Sequence, residues 1–312
     1  MKRFSGILAD RNLKAKSLLA QTRGLLRQSH LRIRKRLGQH FLVDETVLET
    51  VTSAAELTTD DIILEIGPGL GILTRELARQ AGWVLAIELD NKLAAILEQN
   101  LTSFNNITIV NGDILKLDPV ALLQEQKSNF PPALTNLSNY KVVANLPYYI
   151  TSLVLRHFLE ASIKPQTMVV MVQKEVAETI VARPGQMSVL SISVQLYGEP
   201  RIIDYVPARC FYPVPEVDSA ILRIDLYPQP AVEVASESDF FGLVRAGFAS
   251  PRKQLANSLA QGLGKSKAEV LPLLTAADIM PQRRAETLTL DEWAQLLHIF
   301  NEEKYADSSG PS

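Results

Sequence analysis

The 312-residue chain is predicted to fold as an α/β protein, a doubly wound sheet followed by a small all-helical C-terminal domain. Three observations predict it. From about residue 44 to 226, short apolar runs alternate with helix-length amphipathic stretches, the pattern of parallel strands joined by crossover helices. The first of those runs leads straight into a glycine-rich turn, Glu65-Ile66-Gly67-Pro68-Gly69-Leu70-Gly71. Beyond a Pro- and acid-containing linker from Pro228 to about Glu237, strand-like runs cease.

Each element follows from its local pattern. Ile62–Ile66 is a first strand, Leu70–Gln80 its helix, and Trp83–Glu88 a second strand. Lys92–Leu101 is a helix and Ile107–Val110 a third strand. The stretch Gln124–Asn139 is rich in turn formers (Asn129-Phe130-Pro131-Pro132, Asn136-Leu137-Ser138-Asn139) and is expected to be a surface loop. Tyr140–Asn145 is a fourth strand, Thr151–Ala161 a helix, Thr167–Val172 a fifth strand, and Val217–Leu226 part of a closing hairpin. Helices are then expected over Asp239–Phe248, Lys253–Leu263, Lys267–Thr275 and Asp291–Phe300, with a frayed tail from Glu302. The division expected is a basic extension at 1–33, a sheet domain at 34–230 and a helical domain at 231–312.

Composition narrows the function. No apolar run reaches the roughly 18 residues needed to span a bilayer, and a single cysteine, Cys210, excludes an intrachain disulfide and a cysteine zinc site. A soluble cytoplasmic monomer without a metal centre is expected. The net charge of −2 hides an asymmetry. Residues 1–36 carry eleven Lys/Arg against one acid, a surplus of ten that leaves −12 on the remainder. Such an arm suits a polyanion, because neutralising phosphates releases counterions; a solvated tail and an Arg-rich transit peptide are the competing readings.

The glycine turn supplies the first chemical signal. Gly67 and Gly69 let the backbone turn sharply and approach a ligand, with a helix N-terminus behind. Glu88, ending the second strand, suits ribose hydroxyls, which a dinucleotide would also present. Asp113, following the third strand, can accept an adenine amino group. The three together favour S-adenosyl-L-methionine over a dinucleotide.

Asn145-Leu146-Pro147-Tyr148 ends the fourth strand, where ligands sit in open α/β sheets. An exocyclic adenine amine is a poor nucleophile because its lone pair is delocalised into the ring. The Asn145 side-chain carbonyl and the Leu146 backbone carbonyl can each accept one of its N–H bonds and aim the lone pair at a methyl donor. Pro147 fixes the turn, and Tyr148 can stack on the base. Phe211, beside Pro213 and Pro215, is a candidate for the opposite face of the base, or else a core aromatic.

With these residues the sequence closely resembles the bacterial small-subunit (16S) rRNA adenine N6,N6-dimethyltransferases, Rossmann-like class I methyltransferases. Their relatives include the erythromycin-resistance rRNA methylases. The resemblance runs from about Arg34 to Leu297. It rests on Lys35-Arg36-Leu37-Gly38-Gln39-His40-Phe41-Leu42, the glycine loop, Asn145-Leu146-Pro147-Tyr148-Tyr149 and Gln173-Lys174-Glu175-Val176-Ala177. It continues through Phe211-x-Pro213-x-Pro215-x-Val217-x-Ser219-Ala220, Arg252-Lys253-x-Leu255-x-Asn257-Ser258-Leu259 and Arg284-Ala285-Glu286-x-Leu288.

The resemblance implies cofactor contacts from His40, Leu42, Gly67, Glu88, Asp113 and Asn145. It also implies dimethylation of two neighbouring adenines in a hairpin near the 3′ end of small-subunit rRNA, within an assembling subunit. Pro251 stands where relatives often carry a basic residue, Arg183–Ser188 is shorter than in many, and the arm before Arg34 is longer than in the simplest members. A large-subunit rRNA methylase is the alternative within the class, although its relatives tend to have Ile at the position of Leu146. A non-catalytic rRNA-binding assembly factor is the alternative outside it.

Overall fold

A computed structural model describes residues 17–308, apart from 30, 32, 35–37, 133 and 135. Helix α1 (Leu18–Gln28) is followed by the short strand β1 (Phe41–Leu42) and by α2 (Glu45–Ala54), which Asp44 caps by accepting from Val47 N–H. Strand β2 (Ile62–Ile66), α3 (Ile72–Gln80), β3 (Trp83–Glu88), α4 (Asn91–Asn100) and β4 (Ile107–Asn111) make the first winding of the sheet. Helix α5 (Pro119–Gln126) leads to β5 (Tyr140–Asn145), α6 (Thr151–Leu159) and β6 (Thr167–Gln173). Then come α7 (Lys174–Ile180), α8 (Val189–Gln195), β7 (Gly198–Val206), β8 (Phe211–Tyr212) and β9 (Ser219–Leu226). The remaining elements are the helices α9 (Glu237–Gly247), α10 (Leu255–Leu263), α11 (Lys267–Ala276) and α12 (Leu290–Ser308).

Seven strands form one sheet in the order β4-β3-β2-β5-β6-β9-β7, and β1 pairs separately with β8. The first five run parallel, while β9 is antiparallel to β6. Strands β2, β3 and β5 are buried almost throughout, as continuous apolar runs between helical layers require. The one buried base in these strands is paired. Near the start of β5, Lys141 is buried, pairs with Asp61 at 2.9 Å, and donates to the carbonyls of Ala55 and Glu56. With every ammonium proton given a partner, burial of that charge is tolerated.

The structure separates into two units. One comprises the chain through Ala177 together with Arg201–Leu226, and the other Glu178–Pro200 together with the residues after Leu226. The segment 178–200 therefore groups with the C-terminal helices, an insertion that a continuous 34–230 stretch does not anticipate. In the helical unit, Arg283 makes a charge-assisted fork onto Glu292 and donates to the Thr287 carbonyl at 2.7 Å, fastening the start of α12.

Several expectations are corrected. Within the basic extension, residues 18–28 form a helix that was not among the expected elements: Leu18, Thr22 and Leu26 repeat every four residues and are buried. Each buried leucine contributes roughly 1.5–3 kcal/mol. Residues 1–16 of that arm lie outside the described residues. The expected loop 124–139 overlaps the end of α5, and it buries Phe130 and Leu134, with the Phe130 ring 5.8 Å from that of Trp83. Apolar side chains among the turn formers outweighed the turn signal. The expected frayed tail is helical as far as Ser308, and β7 carries too many charges on its edge to read as a strand.

Candidate active site

Strand order reverses between β2 and β5, so two adjacent parallel strands send their connections away in opposite directions and leave a crevice at their carboxyl ends. A cleft of ≈ 1100 Å³, open mouth included, lies there. Residues 38–42, the glycine loop, Glu88, Asp113 and Asn145 through Ile150 line it.

At one end the backbone does the shaping. Gly67 and Gly69 adopt left-handed φ values of 66° and 61°, and a Cβ on Gly69 would meet the Phe41 ring at 3.0 Å. The turned loop brings Gly69 N–H to the carboxylate of Glu88, which accepts it at 3.0 Å and accepts Asp90 N–H at 2.8 Å. Burial pushes the Glu88 pKa up, and these two backbone donors oppose the shift. Asp113 follows β4 and caps a short turn through Leu115 N–H at 3.1 Å. Leu89 and Ile114, which sequence reasoning did not nominate, add apolar wall beside the two acids.

Glu65 was also missed as a site residue. It ends β2 one residue before the strand stops, is 1% exposed, and lines the cleft. Its Oε2 finds no hydrogen-bond partner among the described residues, and burial pushes its pKa up to about 8. The signal was available: an acid inside an apolar strand, immediately ahead of the glycines.

At the other end, Asn145 donates from Nδ2 to the His40 carbonyl at 2.9 Å, so its Oδ1 remains to accept. Leu146 is buried and hangs from the Met171 carbonyl through its N–H. Pro147 begins a 3₁₀ turn that carries Tyr148, whose hydroxyl lies 2.7 Å from Ser219 Oγ. Burial pushes the Tyr148 pKa up, so the phenol stays protonated and is no base at neutral pH. The His40 ring lies nearly parallel to Tyr148, centroids 6.1 Å apart, and its Nδ1 sits 2.7 Å from the Pro213 carbonyl. A carbonyl can only accept, so Nδ1 carries the proton.

Phe211 sits apart from the other candidates. It is 2% exposed, faces Leu42 across the β1–β8 ladder, and belongs to the core cluster with Val143, Met171 and Ile221. It does not line the cleft. Strand alternation explains this: with Phe211 turned inward, Tyr212 is the neighbour that faces the other way.

These residues suit an adenosine-bearing, cationic cofactor: open backbone at two glycines, strand-end carboxylates, and a buried acid lacking a cation. Among the described residues no group of three His, Cys, Asp or Glu could hold a metal ion. A family model described as ribosomal RNA adenine dimethylase matches residues 30–302. The chain belongs to that family. As a member it is an rRNA adenine dimethyltransferase with S-adenosylmethionine as its cofactor, and its sheet has the class I methyltransferase architecture expected.

The chain is 50% identical over 287 residues to the ribosomal RNA small subunit methyltransferase A of Dehalococcoides mccartyi, covering 92% of this chain and 94% of that one. A dimethyladenosine transferase from Plasmodium falciparum shares its fold at a TM-score of 0.70 and 25% identity, over 85% of this chain and 98% of that one. The 23S rRNA methyltransferase ErmE is similar at a TM-score of 0.63 and 30% identity, over 84% and 99%. The strand-end segment Asn145–Tyr148 and the loop Gly67–Gly69 thus line one cleft of a family member.

Proposed function

We propose that this family member dimethylates the N6 amino groups of two adjacent adenines in a hairpin near the 3′ end of small-subunit rRNA, within an assembling subunit. It would act as a cytoplasmic monomer. The observation that carries the reading is the fixed amide of Asn145, aimed into the same cleft as the glycine loop and Glu88. When bound, the cofactor supplies a methyl group on a sulfonium.

The chain's own residues do the rest. Glu88 would accept from ribose hydroxyls and Asp113 from the cofactor's adenine amine, with Leu89 and Ile114 supplying apolar wall for that ring. Glu65 would hold the cofactor's ammonium, a cation suited to its buried carboxyl. Gly67, Gly69, His40 and Leu42 complete the walls. Asn145 Oδ1 and the Leu146 carbonyl accept from the target amine, turning its lone pair toward the donor, and Tyr148 stacks on the base. No strong base is required, because a methylated amine is acidic while cationic and loses its proton to water. Rate then comes mainly from alignment.

The helical unit supports phosphate contact through Arg252 and Lys253, both exposed. A base reaching this cleft must leave its stack. The test is transfer of labelled methyl groups to unmodified small subunits, followed by mapping. Label on two neighbouring adenines of small-subunit rRNA is expected; label confined to large-subunit rRNA would refute the reading.

A further inference from the structure

The segment before the cleft reaches the cofactor end by two separate routes. Leu26 of α1 packs in one cluster with Phe41, Leu70 and Leu93, and the Phe41 ring is the group that presses against Gly69. Arg23 of the same helix lies over the Tyr212 ring at 5.1 Å. The second route is polar. Arg34 Nη1 lies 3.2 Å from the carboxylate of Asp90, which is 4% exposed. Asp90 caps α4 by accepting from Lys92 N–H, and its own N–H holds Glu88 Oε1. Arg34 N–H in turn donates to Gln39 Oε1, and Gln39 lines the cleft.

We infer that helix α1 and Arg34 form a strap of the cofactor site, in which Arg34 is a positioning residue acting on Glu88 through Asp90, and Leu26 holds Phe41 against the glycine loop. The inference rests on the reading of this cleft as the cofactor site. Its logic is electrostatic and steric. Asp90 and Glu88 are two buried acids joined through one backbone N–H, and Glu88 must stay ionised and fixed to receive hydroxyl donors. The guanidinium of Arg34 offsets the charge of Asp90 from the solvent side. Without it, an unpaired buried carboxylate remains beside the group that does the binding. The basic character of this segment therefore has a use within the protein, besides any phosphate contact made by residues ahead of it.

The experiment measures the Kd of S-adenosylhomocysteine by calorimetry on the full chain, alongside Tm, the Kd for unmodified small subunits without cofactor, and methyl transfer. Arg34→Gln should weaken S-adenosylhomocysteine about tenfold and raise the KM for cofactor, with kcat and subunit affinity within twofold of the parent. Arg34→Lys should recover most of the loss. Leu26→Ala should weaken the same ligand, with a lower Tm. Unchanged S-adenosylhomocysteine affinity in Arg34→Gln, or a loss of subunit affinity in its place, would overturn the inference. Failure of the parent chain to bind S-adenosylhomocysteine would instead overturn the reading of the cleft.

Discussion

The side-chain amide of Asn145 is anchored to the backbone carbonyl of His40 at 2.9 Å, across 105 residues of sequence. That bond decides which end of the amide faces the cleft, because a carbonyl can take only the NH₂ group. Asn145→Ala should therefore lower kcat by about 10²-fold or more, the scale for losing one fixed polar group at a reacting centre. Small-subunit affinity should stay within a few-fold. Asn145→Asp should be nearly as damaging, since a carboxylate cannot donate to His40. Single-turnover rates and equilibrium binding separate the two effects, and full retained activity of Asn145→Ala would remove this residue from the mechanism.

Glu65 predicts a proton count. Its carboxyl ionises near 4.5 when free, and burial pushes it up to about 8 in the fold. Between those values the unfolded chain holds fewer protons than the folded one, so this group makes stability fall as pH rises through the window, with no further change above it. A bound ammonium favours the ionised form. At about pH 6.5, where an α-amino group is still charged, binding of S-adenosylhomocysteine should release up to one proton. Calorimetry in two buffers of different protonation enthalpy reads that number. Glu65→Gln should release none, and a parent chain that also releases none would leave Glu65 without the proposed role.

Tyr148 and Phe211 should separate cleanly. Tyr148→Ala removes a stacking face, and RNA capture should weaken by about 1–3 kcal/mol, while Tyr148→Phe loses only the hydroxyl bond to Ser219 and should bind nearly as well. Phe211→Ala empties a core position and should cost about 3–5 kcal/mol of stability. Phe211→Leu should restore most of the Tm and leave RNA affinity alone. If Phe211→Leu is stable yet binds RNA as poorly as Tyr148→Ala, then Phe211 reaches the base after all.

Residues 1–16 carry five Lys/Arg and one acid. Deleting them leaves α1 in place and should weaken subunit binding, flattening its salt dependence by roughly 0.7–0.9 in log–log slope for each phosphate no longer neutralised. Cofactor Kd should not move. An unchanged salt slope would make this stretch a passive tail.

Most of the fold was legible in the sequence because the buried strands announce themselves. Ile62–Ile66, Trp83–Glu88 and Tyr140–Asn145 have the boundaries that their apolar runs imply. Edge strand β7 was not, since Arg201, Asp204 and Tyr205 face solvent and erase the alternation. The places of the glycines, Glu88, Asp113 and Asn145–Tyr148 in one cleft were legible from their strand-end positions, and that of His40 only through resemblance. The place of Phe211 was left open because two prolines predict a rigid loop and say nothing of which way its aromatic turns. Arg34 was read as one more charge of a basic arm. A partner 56 positions away in sequence leaves no local pattern to find.

The clamp of Lys141 onto Asp61 lies at the opposite end of β5 from Asn145. Strands that are apolar on both faces carry no alternation to say which residue faces which neighbour, so β5 could slide against β2 with little change in hydrophobic burial. A slip of one position would carry Asn145 about 3.3 Å along the sheet, far beyond the roughly 0.5 Å within which a reactive constellation must be held. Only one alignment gives the Lys141 ammonium its carboxylate and both carbonyls. A charged pair remote from the cleft thus acts as the reading frame of the sheet, and the position of the Asn145 amide in the cleft is counted from it.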